Sequence, residues 1–177
     1  MTPGVELRPS RPDDLDAIVE LFREPAVAQW WPRYDRARIE REMIVGDDEN
    51  TTVYVIDVDG AVAGVVQSWQ EPDDEYRRAG MDIAVASKWH GTGVAVAALR
   101  AVARRLVEEL GHHHLTIDPA ASNGRAIACY RKLGYREVGV LRRNELGADG
   151  TFHDTLLMDL VADELVLEPP IAVITAT

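Results

Sequence analysis

Cysteine is almost absent from the chain: Cys129 is the single one among 177 residues. No disulfide can close within the molecule, so stability has to come from a packed core, and the usage fits a reducing compartment. Aromatic residues are scarce as well, at 6% with two phenylalanines, which makes the expected core aliphatic. No stretch of about 18 apolar residues occurs, the length a membrane-spanning helix requires. The opening MTPGVELRPSRPDD carries no apolar run of the secretory kind. The expected location is therefore the cytoplasm, with no membrane as partner. Basic residues are outnumbered, 19 Lys and Arg against 30 Asp and Glu, for a net charge of −11. A broad nucleic-acid-binding surface needs the opposite balance, whereas small polycations suit such a chain.

What is present is the material of one domain. The chain is 46% hydrophobic and 28% charged, enough to bury one core at this length. We expect that domain over residues 1–162, followed by a tail over 163–177 without a clear element. Val166, Leu167, Ile171, Val173 and Ile174 of that tail would pack on a second copy in a homodimer or stay mobile. Val5–Arg8 reads as a strand. Leu15, Ile18, Val19 and Phe22 form the i, i+3, i+4, i+7 stripe of an amphipathic helix, started at Pro12-Asp13-Asp14. A connection holding Trp30-Trp31 runs between Pro25 and Pro32, and a second helix spans about Arg36 to Val45. Thr52–Val58 and Ala61–Trp69 flank Asp59-Gly60, the signature of a tight hairpin turn.

A further strand, Ala79–Ala86, leads into the glycine-bearing loop Lys88–Gly93 and a long helix from Val94 to about Leu110. Gly111 ends it. His114–Ile117 is a short strand, a helix begins at Ser122 or Asn123 and continues to Leu133, and strands Tyr135–Leu141 and Phe152–Val161 close the pattern. The order, β-α-α-β-β-β-α-β-α-β-β, specifies an α/β domain with a mixed sheet, antiparallel early and with a parallel crossover in its middle.

Two segments carry chemistry. In Lys88-Trp89-His90-Gly91-Thr92-Gly93 the glycines have no β-carbon, so backbone N–H groups can come close to a ligand. The helix that follows adds unpaired N–H groups and the positive end of its dipole, the recipe for holding a pyrophosphate. The loop is neither a Walker A sequence, which needs Lys-Ser/Thr after the second glycine, nor a dinucleotide fingerprint. The second segment runs from Asp118 to Tyr135, D-P-A-A-S-N-G-R-A-I-A-C-Y-R-K-L-G-Y. Asn123 either caps the helix or binds a ligand amide, and Tyr130 lies two helical turns on, on roughly the same face.

Together these segments resemble the signatures of the GNAT acyltransferases. Gly91 and Gly93 match the Q/R-x-x-G-x-G/A pyrophosphate motif, with Lys88 standing where the family has Gln or Arg. Asn123, Tyr130 and Gly134 fit the second signature. The resemblance covers about Val5 to Val161 and implies the GNAT fold: a mixed sheet of about six to seven strands, its parallel pair splayed at the cofactor site, flanked by about four helices. It implies acetyl-CoA as co-substrate, held by Ile83, Ala84, Val85, Lys88, Trp89, His90, Gly91, Thr92, Gly93, Val94 and Asn123. Trp30-Trp31, Gln67-Ser68, Gly80-x-Asp82 and the Asp118 segment are similar to the aminoglycoside 6'-N-acetyltransferases. The implied reaction is acetylation of an aminoglycoside amine, an antibiotic-resistance activity. Other expected acceptors are a polyamine, another small amine or a protein N-terminus. A non-catalytic acyl-CoA-binding module is the reading from another class, against which Asp82 and Tyr130 speak because both chemical positions are filled.

In that frame Asp82 is the expected proton acceptor for the amine, and Tyr130 the donor to the departing thiolate. A backbone N–H near Val85 would polarise the thioester carbonyl. Trp30, Trp31, Gln67, Asp82, Asp118 and Asp154 are the expected substrate-binding residues, and Glu71–Glu75 reads as a solvated turn, with flanking a cationic substrate as the alternative. Asp118 before Pro119 also reads as a plain turn residue, and the two tryptophans as core. Cys129 reads as a small buried residue rather than a nucleophile. His112-His113-His114 alternate between strand faces, so no metal site is expected. Gly91→Val should weaken acetyl-CoA binding, measured by calorimetry, while the free protein stays folded, because bulk is added where phosphate oxygens must approach N–H groups.

Overall fold

Alternation along the strands decides which face of the sheet each residue covers, and two helical layers grow from that. The computed structural model describes residues 4–71, 73–168 and 172–175. In chain order the elements are β1 (Val5–Pro9), α1 (Leu15–Arg23), α2 (Pro25–Ala28), α3 (Arg36–Ile39), β2 (Thr51–Val58), β3 (Ala61–Gln70) and β4 (Ala79–Val85). They continue with α4 (Val94–Arg104), β5 (His114–Ile117), α5 (Gly124–Arg131), β6 (Arg136–Leu146), β7 (Phe152–Val161) and β8 (Val173–Ile174). The eight strands form one sheet in the order β6-β7-β5-β4-β3-β2-β1-β8.

On one face Leu7, Tyr54, Ile56, Val66, Met81 and Val85 pack with Ala98, Leu99 and Val102 of α4 and with Ile127 and Tyr130 of α5. On the other, Val55, Val65 and Ala84 pack with Leu15, Ile18, Val19 and Phe22 of α1 and with Ile39. Met81 and Val85 thus face one core and Ala84 the other, as a period of two requires. Asp59 and Gly60 both adopt positive φ, 54° and 80°, the type I′ turn that joins β2 to β3. α3 and α4 each run on through a π-helical turn, Glu40–Val45 and Arg105–Glu109.

β4 is paired with β3 along its whole length, from Gly64 opposite Val85 to Gln70 opposite Ala79. With β5 it is parallel and shares one register pair, Ala79 with Leu115. Beyond it the two strands separate toward their C-terminal ends and open a wedge in the sheet. This is the splayed parallel pair implied by the GNAT resemblance.

Four expectations are corrected. The sheet has eight strands, not six to seven. The connection with the two tryptophans contains a helical turn, α2, because Pro25 occupies the first helical position, where its missing N–H is harmless. β6 continues to Leu146, past Leu141, through two bulges. The tail is not without structure. β8 pairs in parallel with β1, the Val166 N–H donates to the Leu133 carbonyl, and Leu165 and Ile174 pack on the core of their own chain. Ile171 lies outside the described residues. No helix among the described residues is long and apolar enough to cross a membrane.

One polar cluster fixes the start of α1. Asp14, 7% exposed, receives two hydrogen bonds of 2.8 Å from the Arg8 guanidinium and one of 2.8 Å from the Arg11 N–H. The Arg8 hydrogen bonds hold the Asp14 carboxyl below its ordinary pKa, against the opposing effect of burial. A lowered folded-state pKa stabilises the fold above the unfolded value and ceases to do so as pH falls through the folded one. Asp14→Ala should cost about 2 kcal/mol at pH 7 in urea unfolding, since it removes the two shortest bonds of a largely buried guanidinium and leaves it Asp57 and the Pro9 carbonyl, each at 3.3 Å. The gap from wild type should narrow in acid, below about pH 4.

Candidate active site

The wedge between β4 and β5 opens into two adjoining cavities. The larger, of about 300 Å³, is lined by Trp30, Trp31, Arg33, Tyr34, Gln67, Asp82, Asp118, Asn123, Tyr130 and Glu145, among others. The smaller, of about 90 Å³, is bounded by Val27, Ile83, Ala84, Val85, His90, Ala95, Arg125, Ala126 and Cys129. Trp30, Trp31, Ile83, Asn123, Ala126 and Tyr130 line both. They mark the junction.

Asp82 sits in β4 opposite Gln67 of β3, which hydrogen-bonds its carboxyl. Burial raises the Asp82 pKa to about 6; the Gln67 hydrogen bond opposes the rise, and the negative charges of Asp118 and Glu145 add to it. Asp118, just past the end of β5, accepts a hydrogen bond of 2.8 Å from Asn144 Nδ2. Partial loss of hydration raises its pKa. The same cause, followed by the Asp118 charge, raises that of Glu145. Three carboxylates of shared electrostatics therefore line one cavity, walled by an aromatic group in which Trp31 lies 5.3 Å from Phe22 and 5.2 Å from Tyr34.

Tyr130 is 4% exposed, and its hydroxyl donates to the Met81 carbonyl at 3.5 Å. Burial, then the charge of Asp82, hold the phenol well above its ordinary pKa. Asn123 is the N-cap of α5, its Oδ1 accepting from the Ala126 N–H at 3.1 Å. Its side-chain NH₂ is left for other partners, so capping and ligand binding are compatible.

The glycine loop has the backbone that its residues imply. Gly91 and Gly93 have φ of 78° and 94°, a region that side chains with a β-carbon disfavour. Ala97 N–H is bonded to the Gly93 carbonyl, and the N–H groups that precede it at the start of α4 have no partner within the helix. His90 lies at the inner end of the loop. Its Nε2 is 2.8 Å from the Val85 carbonyl and its Nδ1 meets the Arg125 guanidinium. Nδ1 must then be the acceptor and Nε2 the N–H donor to Val85.

Several expected contacts are not made. Lys88 points outward, its Nζ 5.5 Å above the Trp89 ring. Trp89 itself wedges between the two cores, and Val94 is fully buried, so these two offer the loop their backbone and not their side chains. The Asp154 carboxylate is occupied by the Arg143 N–H at 2.8 Å, and this residue lines neither cavity. The same holds for the described residues of the Glu71–Glu75 turn, where Asp73 accepts from Glu75 and Tyr76 N–H groups. Among the described residues no cluster of His, Cys, Asp or Glu could hold a metal ion. The sequence reading missed Glu145, Arg33 and Tyr34. A register shift against β7 between Leu141 and Glu145 interrupts the alternation of β6, so a simple strand pattern does not place Glu145.

A model of the acetyltransferase (GNAT) domain family matches residues 5–136. The chain belongs to the GNAT acetyltransferase family. It is 26% identical over 170 residues to the spermidine N(1)-acetyltransferase of Escherichia coli K12, covering 93% of this chain and 90% of that one. It is 27% identical over 155 residues to the aminoglycoside N(6')-acetyltransferase type 1 of Klebsiella pneumoniae, covering 78% and 77%. A crystal structure of an aminoglycoside acetyltransferase in complex with coenzyme A superposes with a TM-score of 0.75 at 24% identity, covering 91% of this chain and 96% of that one. The GNAT protein described here is thus an acetyltransferase with acetyl-CoA as donor.

The residues fit that donor. β4 has an edge without strand partner beyond Ala79, the small cavity is apolar and narrow, and the positive-φ glycines and the start of α4 follow at its outer end. Replacing Asp118 by Asn should lower the Asp82 titration midpoint from about 6, because removing a nearby negative charge favours the ionised form. Carboxyl NMR of the free protein measures it.

Proposed function

We propose that the protein acetylates a primary amine of a small polycation, an aminoglycoside at its 6'-amino group in the first instance. The observation that carries this reading is the convergence of Asp82, Asp118 and Glu145 on one cavity with raised pKa values. A bound cation relieves their mutual repulsion. Trp30, Trp31 and Tyr34 add flat apolar and π surfaces suited to sugar rings and to ammonium groups. A polyamine acceptor rests on the same carboxylates and on the likeness to the spermidine enzyme.

Acetyl-CoA, when bound, supplies a thioester carbonyl carbon as the electrophile. The edge of β4 beyond Ala79 has no strand partner among the described residues. The backbone groups left on it besides the Met81 and Val85 carbonyls, which accept from Tyr130 and His90, would pair with the amides of the pantetheine arm as a further strand does. The Asn123 NH₂ lies beside that path, and the Gly91 and Gly93 N–H groups with the first turn of α4 would take the diphosphate.

An alkylammonium must lose a proton before its nitrogen can attack. Asp82, with a pKa of about 6, is ionised at neutral pH yet basic enough to take that proton directly or through a water. Gln67 fixes the orientation of the carboxylate. Asp118 and Glu145 neutralise the other ammonium groups of the acceptor. The Tyr130 phenol keeps its proton throughout the working range and hydrogen-bonds or protonates the leaving sulfur.

Thiol release from acetyl-CoA in the presence of kanamycin, spermidine or an N-terminal peptide tests the proposal. The expected result is turnover with a polycation, weakened by added salt through screening of the carboxylates. The rate should fall below pH 6, where Asp82 takes a proton and can no longer act as base. Asp82→Asn should remove that acid limb and lower turnover about 10²- to 10⁴-fold. A preference for uncharged or anionic amines, without a salt effect, would overturn the polycation reading.

A further inference from the structure

Two arginines line the larger cavity beside its carboxylates, Arg33 and Arg38; Arg38 is paired with Glu42 at 2.9 Å, and the backbone at Arg33 is strained. Arg33 has φ of 64°, a left-handed conformation that costs free energy for any residue with a β-carbon and persists where the surroundings impose it. Its guanidinium reaches more than a hundred residues along the chain, to the turn between β6 and β7. There Nη2 donates to the Leu146 carbonyl at 3.0 Å and Nη1 to the Gly147 carbonyl at 3.5 Å. The two ends of this contact lie beside different lining segments of one cavity, residues 30–34 and Glu145. Trp30, Trp31, Pro32 and Tyr34 adjoin Arg33 in sequence, Glu145 adjoins Leu146, and all five line the cavity.

We propose that Arg33 is a positioning residue of the acceptor site: it straps the aromatic wall to the end of β6 and so sets where Glu145 stands relative to Trp30 and Trp31. A cation in a site for cations would ordinarily compete with the substrate. Here the planar fork is engaged by two carbonyls at the rim, a geometry the single ammonium of a lysine cannot reproduce. Glu145 stays available to the acceptor. The strained backbone fits the same role, because the left-handed residue 33 is the one whose side chain reaches the Leu146 and Gly147 carbonyls at the rim. This inference rests on the acceptor assignment made above, and the test separates the two.

Arg33→Ala, Arg33→Lys and Arg33→Gly are compared with wild type in the full chain. Glycine accepts the left-handed backbone without strain, so it isolates the loss of the side chain from any misfolding of the loop. The expected outcome is a rise of about tenfold or more in KM for spermidine or kanamycin, whichever the wild type turns over, in all three variants. The acetyl-CoA dissociation constant from calorimetry should stay within about twofold, because the strap contacts no residue of the small cavity's outer end. Amide hydrogen exchange should quicken at residues 30–34 and 147–150 and not elsewhere.

A lysine variant with wild-type KM beside a damaged alanine variant would show that charge alone matters and would overturn the strap. Turnover with unchanged KM in every variant would overturn it while leaving the proposed function intact. If the wild type acetylates neither amine, the polycation reading fails. Exchange then decides the strap alone: local acceleration sustains it and unchanged exchange overturns it.

Discussion

Parallel strands need evenly spaced, slanted hydrogen bonds along their length, and β4 and β5 make one register pair, Ala79 with Leu115. Past that pair each strand has a row of backbone groups facing a gap. A buried gap of that kind is costly unless something polar enters it. β3 holds β4 rigidly from the other side, so the gap does not close by shifting β4. α5, entering from Asn123, covers part of it with Tyr130 and Ala126, and the remainder becomes the two cavities. The binding site is therefore a consequence of incomplete strand pairing, and the side chains that matter are those that the wedge exposes.

Among them Asp82 shows how the wedge sets chemistry. A carboxylate in the middle of a strand, with apolar cores on both faces of the sheet, would be intolerable in a closed sheet. Its cross-strand neighbour Gln67 on β3 gives it an amide partner and the opening gives it access to the cavity, while burial and the neighbouring carboxylates still lift its pKa to about 6. The net charge of −11 has the same local meaning. Part of it is concentrated in one cavity, where Asp82, Asp118 and Glu145 stand next to aromatic side chains.

Legibility in the sequence followed the range of the interactions. Gly91 and Gly93, Asn123 and Tyr130 were legible because each depends on its own turn or helix: a positive-φ loop, an N-cap, two helical turns. Asp82 followed from its position in a strand that precedes the loop. Glu145 was not legible, since its location depends on bulges in β6 and on a register shift against β7. Arg33 was not either, because nothing in Pro32-Arg33-Tyr34 announces a left-handed arginine. Asp154 was misread for the converse reason. Its carboxylate is captured by the N–H of Arg143, whose own φ is 51°, a local bond that a strand pattern does not reveal. The tail was misread because two residues suffice for β8 when β1 supplies a ready edge.

Both titrating groups at the junction of the cavities are shifted in the same direction, upward, and for the same leading reason, loss of water. For a carboxylate that shift strengthens the base and brings it close to neutrality. For a phenol it protects the proton. In the proposed reaction one desolvated environment thus makes Asp82 a better proton acceptor and keeps Tyr130 a donor, without any special pairing between them. The negative charge of Asp82 contributes to the Tyr130 shift, so the base in its active, ionised form is the state that best keeps the acid protonated. The half-buried Cys129 has its thiol pushed up by burial as well, which disfavours the thiolate a nucleophile would need. In the proposed reaction the wedge thus places a base, Asp82, and an acid, Tyr130, on either side of a direct transfer between two bound substrates.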